Sequence, residues 1–170
     1  MRLIEDFDKK NYDECEKLFH RKAVRAIIIK DGKLAMIRSE KFGEYKFPGG
    51  GTEDGESDID TLIRETREES GLNIIKESVE PYGMMMEKRK SVFDPEFIFQ
   101  MESYYYLCEV TEELSETNLD DYEVEYGYKL HYISIDEAIR NNENAFVHKE
   151  TATWIERELC VLKDIKNNLL

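Results

Sequence analysis

Three glutamates stand close together in this chain at a spacing that one side of a helix would share. Glu65, Glu68 and Glu69 are at i, i+3 and i+4, so at about 100° per residue their carboxylates point the same way. Three anions so placed repel one another unless a cation joins them, and their hard oxygens suit one or more divalent ions. The chemistry open to such a group, once it holds a metal, is polarisation of a bound oxygen and activation of water. The helix that must carry them is marked at both ends. Ser57 has the form of an N-cap, Asp58 and Asp60 suit the positive end of the helix dipole, and Gly71 followed by Leu72 resembles a glycine C-cap with its apolar contact. Ile59, Leu62, Ile63 and Thr66 fall on a neighbouring face that can dock on a sheet while the carboxylates look into a cleft.

Other elements must supply that sheet. Residues 23–29 and 34–37 are apolar runs joined through Asp31 and Gly32, a dipeptide suited to a type I′ hairpin turn. Both faces of these runs are apolar, so the sheet is expected to be covered on both sides. Residues 74–75, 79–86 and 97–110 read as further strands, the last two forming a long hairpin around residues 88–95. The acidic stretch 111–125 reads as a loop or insertion, and 129–135 as another strand. Asp136, Glu137 and Ala138 start a short helix capped near Asn141 and Asn142. Ala152, Ile155, Leu159 and Leu162 recur at helical spacing and form an amphipathic C-terminal helix over one sheet face. Residues 1–20 read as a possible N-terminal extension, a short strand and helix packed on the body or on a second subunit, which leaves a homodimer open. No repeat or Pro/Gly-rich break divides the chain, so residues 1–170 read as one α/β domain, a mixed sheet between helical layers.

The run from Gly50 to Leu72, GGTEDGESDIDTLIRETREESGL, resembles the signature of the Nudix hydrolase family, G-x5-E-x7-R-E-U-x-E-E-x-G-U, with U a bulky aliphatic residue. Gly50, Glu56, Arg64, Glu65, Glu68, Glu69, Gly71 and Leu72 match it. Thr66 departs from it at the first U position, where its methyl can still pack but its hydroxyl needs a partner. The resemblance implies an α/β/α sandwich, with this box forming a loop, helix and loop along one edge of the sheet. It also implies hydrolysis of the phosphoanhydride of a nucleoside diphosphate linked to another moiety, with Mg²⁺ or Mn²⁺ as cofactor. Glu65, Glu68, Glu69 and the carbonyl of Gly50 would hold metal, Arg64 would orient a metal-binding glutamate, and Glu68 and Glu69 are joint candidates for the general base. Glu123 and Glu125, before the last strand, are available as a further ligand or base. A nucleotide-binding module of the same fold without catalysis is the alternative, and the intact Arg-Glu-x-x-Glu-Glu run speaks against it. An isoprenyl diphosphate isomerase of this fold would want a cysteine near the site, whereas Cys108 falls in a core strand.

Glu56 could reach metal through water, but bracing of the loop at the helix start is preferred. The glycines of Phe47-Pro48-Gly49-Gly50-Gly51 do not make a nucleotide-binding P-loop, because Thr52-Glu53-Asp54 follows where Gly-Lys-Ser/Thr is needed. They suit a sharp turn instead. Met84 to Met86 and Tyr104 to Tyr106 alternate at strand spacing, which makes packing their main role. Lys88, Arg89 and Lys90 are a rare basic cluster where a hairpin tip could overhang the site, and they are candidates for the far phosphate of a substrate. His20, His131 and His148 share no ligand spacing. The markers of ADP-ribose and dinucleoside polyphosphate hydrolysers, a proline and a tyrosine some way past the box, are not at the family's places, since Pro81 and Tyr82 come too early.

Composition agrees with an enzyme of small anions. The formal charge of −14 excludes a broad basic face for nucleic acid. Cys15, Cys108 and Cys160 are odd in number without metal-ligand spacing, which favours reduced thiols in a cytoplasmic compartment. No apolar run reaches the ~20 residues of a membrane span, and the acidic N-terminus does not read as a signal peptide.

Overall fold

The computed structural model describes residues 1–145 and 154–169. Ala152 and His148 lie outside the described residues. Among the described residues, ten strands and four α-helices follow in the order β1 (Leu3–Asp8), β2 (Lys17–Ile27), β3 (Ile29–Lys30), β4 (Lys33–Arg38), β5 (Tyr45–Lys46), α1 (Asp58–Ser70), β6 (Leu72–Ile74), β7 (Glu80–Lys90), β8 (Phe97–Leu107), β9 (Val110–Leu114), α2 (Asp121–Tyr126), β10 (Lys129–Ile133), α3 (Ile135–Ala145) and α4 (Ile155–Asn168).

A four-stranded mixed sheet runs β1-β7-β8-β2, and a second group runs β10-β4-β3 with β5 also on β4. β7 and β8 form the antiparallel hairpin, while β1 adds parallel to β7 and β2 parallel to β8. The short hairpin from β3 to β4 turns at Asp31 and Gly32, both with positive φ (51° and 71°), as a type I′ turn requires.

Alternation along β2 decides what lies on each side. Val24, Ala26 and Ile28 share one cluster with Leu62 of α1, Leu72, Ile74 and Tyr106. Ile27 shares the other with Met85, Tyr105, Ala138 of α3 and Val161, Leu162 and Ile165 of α4. Helices therefore cover both faces, giving the α/β/α sandwich. The strands divide into three hydrogen-bonded groups, the third being β6 with β9.

Three local expectations differ from what forms. Residues 1–20 hold β1 and the start of β2 but no helix. Ile4 and Phe7 pack against the core, and Arg2 and Tyr82 both bond Asp164 of α4. The stretch 111–125 is a loop only over residues 115–120: its first part pairs with β6, and its last part is helix α2, started by the Asp120/Glu123 capping box and stopped by Gly127 at φ 67°. Helix α3 runs on to Ala145 because Asn142 is an interior residue, not a cap. Its buried amide accepts from the Tyr45 N–H (2.8 Å) and donates to the Tyr45 carbonyl (2.8 Å). Among the described residues no helix is long and apolar enough to cross a membrane.

Candidate active site

Helix α1 has the expected caps. Ser57 Oγ accepts the Asp60 N–H at 3.2 Å, and Gly71 closes the helix at φ 74°. Leu62 and Thr66 are fully buried against the sheet, although the Thr66 hydroxyl has no hydrogen-bond partner. The glycine turn beside the helix is tied along β2. Val24 N–H donates to the Gly50 carbonyl (3.0 Å), Ala26 N–H to Pro48 (2.8 Å), and Thr52 N–H to Lys22 (3.2 Å). Glycine is needed here for space. A Cβ on Gly49, at φ 134°, would stand 2.1 Å from the Val24 carbonyl oxygen, and one on Gly50 would stand 2.0 Å from Glu65 Oε2.

Arg64 gathers three carboxylates. Its Nε and Nη2 donate to the two oxygens of Glu56 (2.7 and 2.8 Å), and its Nη1 to Glu65 (2.7 Å) and Glu68 (3.2 Å). This planar fork holds Glu56 down to about 2 and braces the loop ahead of the helix. Burial raises the pKa of Glu65, the Arg64 hydrogen bond opposes that, and the charges of Glu69 and Glu68 add to it.

Glu69 turns inward. One oxygen accepts Lys46 Nζ (2.5 Å) and the other the Gly49 N–H (2.9 Å). Lys46 lies over the Tyr128 ring (4.3 Å to its centre) and 4.0 Å from Glu123. Burial first, then the charge of Glu69, push Glu123 up to about 7. Tyr122 donates to Glu123 at 3.0 Å. Glu125 points elsewhere, to Lys41 on the surface (2.5 Å). The structure thus gathers Glu56, Glu65 and Glu68 about Arg64, with Gly50 against Glu65, and Glu69 and Glu123 about Lys46.

Lys88, Arg89 and Lys90 are the last residues of β7, and the hairpin tip is the segment after them. Strand alternation divides them: Lys88 covers the Tyr12 ring, whereas Arg89 bonds Glu87 (2.8 Å) and covers Phe99.

Beneath the glycine turn lies a buried charge network that sequence reading missed. Glu158 of α4 accepts the Phe47 N–H (3.0 Å) and Arg157 Nη2 (2.9 Å), and lies 3.8 Å from Arg25. Arg25 in turn donates to the carbonyls of Phe47 and Gly49 (3.3 and 3.0 Å). Lys46 was missed as well, and its one signal was a lone cation between the apolar Tyr45 and Phe47. The capping-box spacing of Asp120 and Glu123, with Gly127 after it, could have revealed α2.

Among the described residues no three carboxylates, imidazoles or thiols converge as a metal centre. Arg64 and Lys46 hold the oxygens that a metal would take, and the Gly50 carbonyl already accepts one amide. The donor set still fits a hard divalent ion: these are oxygen ligands, five carboxylates (Glu56, Glu65, Glu68, Glu69 and Glu123) stand against the two cations Arg64 and Lys46, and the neighbouring negative charges add to the burial that raises Glu65 and Glu123. Cys108 is buried and pushed up to about 12, so it offers no thiolate.

A family model described as the NUDIX domain matches residues 19–155, most of the chain, and the chain belongs to that family. Among solved structures it is similar to a NUDIX hydrolase from Nitrosomonas europaea, with 21% identity, 74% of this chain and 79% of that one covered, and a TM-score of 0.56. It is also similar to a MutT NUDIX hydrolase from Burkholderia pseudomallei, with 19% identity, 69% and 85% covered, and a TM-score of 0.51. At these identities the likeness concerns the fold. No curated protein matches the chain.

Proposed function

We propose that this Nudix hydrolase cleaves the phosphoanhydride of a nucleoside diphosphate linked to a further group X, with Mg²⁺ as its cofactor and Mn²⁺ as a substitute. The observation that carries this reading is the cluster of side chains from α1, α2 and the loop ahead of α1, where five carboxylates, Glu56, Glu65, Glu68, Glu69 and Glu123, share the two cations Arg64 and Lys46. Glu65, Glu68, Glu69 and the free lone pair of the Gly50 carbonyl would hold the ion. When bound, a divalent cation supplies neutralisation of the pyrophosphate charge and acidification of water.

The remaining chemistry belongs to the side chains. Arg64, fixed by Glu56, sets the orientation of Glu65 and Glu68. A carboxylate must take the proton of the attacking water, and Glu68 and Glu69 are the candidates. Glu68 is the more accessible of the two, because Glu69 is 3% exposed and engaged on both oxygens. Glu123 stands behind Glu69 as a further ligand or proton acceptor.

The test is a panel of nucleoside triphosphates, nucleotide sugars, ADP-ribose and dinucleoside polyphosphates, read as kcat/KM with Mg²⁺ and with EDTA. Turnover should need metal and fall by about a hundredfold or more in Glu68→Gln or Glu69→Gln. Activity that survives in EDTA sinks the metal reading. Nucleotide binding without turnover of any substrate would make the chain a catalytically inactive module.

A further inference from the structure

Arg21 stands beside the glycine turn on a stretch of β2 that is exposed among the described residues. The glycine turn lines the edge of β2 only along residues 22–26, and residues 17–21 are exposed. The Arg21 guanidinium lies against Gly51: a Cβ added there would be 3.3 Å from Nη2, 3.4 Å from Nε and 3.8 Å from Cζ. Gly50 and Gly51 are thus bare on account of two different side chains, Glu65 on the first and Arg21 on the second. Arg21 makes no hydrogen bond or ion pair among the described residues. Desolvation, then the positive charge of Arg25, lower its pKa; Tyr122 opposes them, Arg157 adds a lesser lowering, and Glu65 opposes least. A cation kept beside two others without a carboxylate of its own is prepared for an anion from outside.

The next side chain on the same face of β2 is aromatic. Phe19 is 51% exposed and stacked on Phe99 with ring centres 6.1 Å apart and planes 25° apart. Arg89 covers Phe99 from the β7 side, so the open surface of the pair belongs to Phe19. Alternate residues on a strand face are about 7 Å apart, a separation that a ribose between base and phosphate can bridge.

We propose that Phe19 and Arg21 form the nucleotide half of the site, Phe19 stacking on the base and Arg21 holding the adjoining phosphate. The phosphate chain then leads over Gly51 and Gly50 to Glu65. The inference rests on the hydrolase reading for its substrate class, but its binding test does not require turnover.

Wild type, Arg21→Gln, Arg21→Lys and Phe19→Ala would be titrated calorimetrically in EDTA with ADP, GDP, CDP, UDP and inorganic pyrophosphate. Wild type should bind at least one nucleoside diphosphate. Arg21→Gln should weaken nucleotide and pyrophosphate alike by about tenfold or more, and Arg21→Lys by less, since it keeps charge without the fork. Phe19→Ala should weaken the nucleotide about tenfold and leave pyrophosphate unchanged, because stacking needs a base. In Mg²⁺ the Arg21→Gln change should appear in KM with kcat kept within a few-fold. Unaltered nucleotide affinity in Arg21→Gln or in Phe19→Ala, or no nucleotide binding by wild type, overturns the proposal. Hydrolysis with unaltered Arg21→Gln kinetics removes the recognition site alone, whereas Arg21-dependent binding without hydrolysis upholds it and removes the hydrolase reading.

Discussion

Gly50 and Gly51 are adjacent and chemically identical, yet their substitutions should behave differently. Alanine at Gly50 would meet the Glu65 carboxylate at 2.0 Å, while alanine at Gly51 meets the flexible Arg21 guanidinium at 3.3 Å. Gly50→Ala should therefore lower kcat/KM by at least tenfold through displaced Glu65, and Gly51→Ala should act mainly on KM; equal profiles would deny the different roles. Glu56 offers a test by pH. Its pKa falls from 4.5 to about 2 in the folded protein, so its contribution is full above its unfolded value and is lost as pH falls toward 2. Between about pH 5 and about pH 3 the melting temperature of wild type should drop further than that of Glu56→Gln. At this scale the sequence was informative where a fixed spacing ties residues together, as with Arg64 and its glutamates. It was silent on Arg21, Arg25, Arg157 and Glu158, because their meeting depends on how β2 and α4 cross, which no local pattern encodes.

Elements meet at Lys46, where β5, α1 and α2 bring one buried cation to Glu69 and Glu123. Lys46→Met would leave both carboxylates in the interior without it, at a cost of about 3–5 kcal/mol. The loss should be greatest at alkaline pH. Glu123, raised to about 7, takes a proton below that value and so relieves the repulsion. Urea denaturation at two pH values reads this directly, and an equal loss at both would contradict the coupling. Helix α1 and the hairpin from β3 to β4 were legible because their ends carry specific turn chemistry, Ser57, Gly71, Asp31 and Gly32. Helix α2 was hidden by its acidity: a short helix whose burial rests on Glu123, with Val124 exposed, shows little apolar periodicity.

Across the whole molecule, Glu158 joins α4 to the start of the glycine turn through the Phe47 N–H, beside the packing of Phe47 on Val161 and Leu162. Glu158→Gln would strip Arg25 and Arg157 of their shared counter-ion, with Glu87 left 3.9 Å from Arg157, and should lower unfolding free energy by about 3–5 kcal/mol in denaturant melts. A loss under about 1 kcal/mol would show that water serves these guanidiniums instead. The sheet order β1-β7-β8-β2 has a different kind of consequence. The two N-terminal strands flank a hairpin that closes only at Leu107, so neither has its partner until much of the chain has left the ribosome. At about 5–20 residues per second, β2 waits for several seconds with an open edge and apolar residues on both faces. Such an edge is the part of a nascent chain that a chaperone must shield, or that another nascent copy can capture. The charged side chains at the start of β2, Lys17, Arg21 and Lys22, oppose such capture, whereas Leu18 and Phe19 between them invite it.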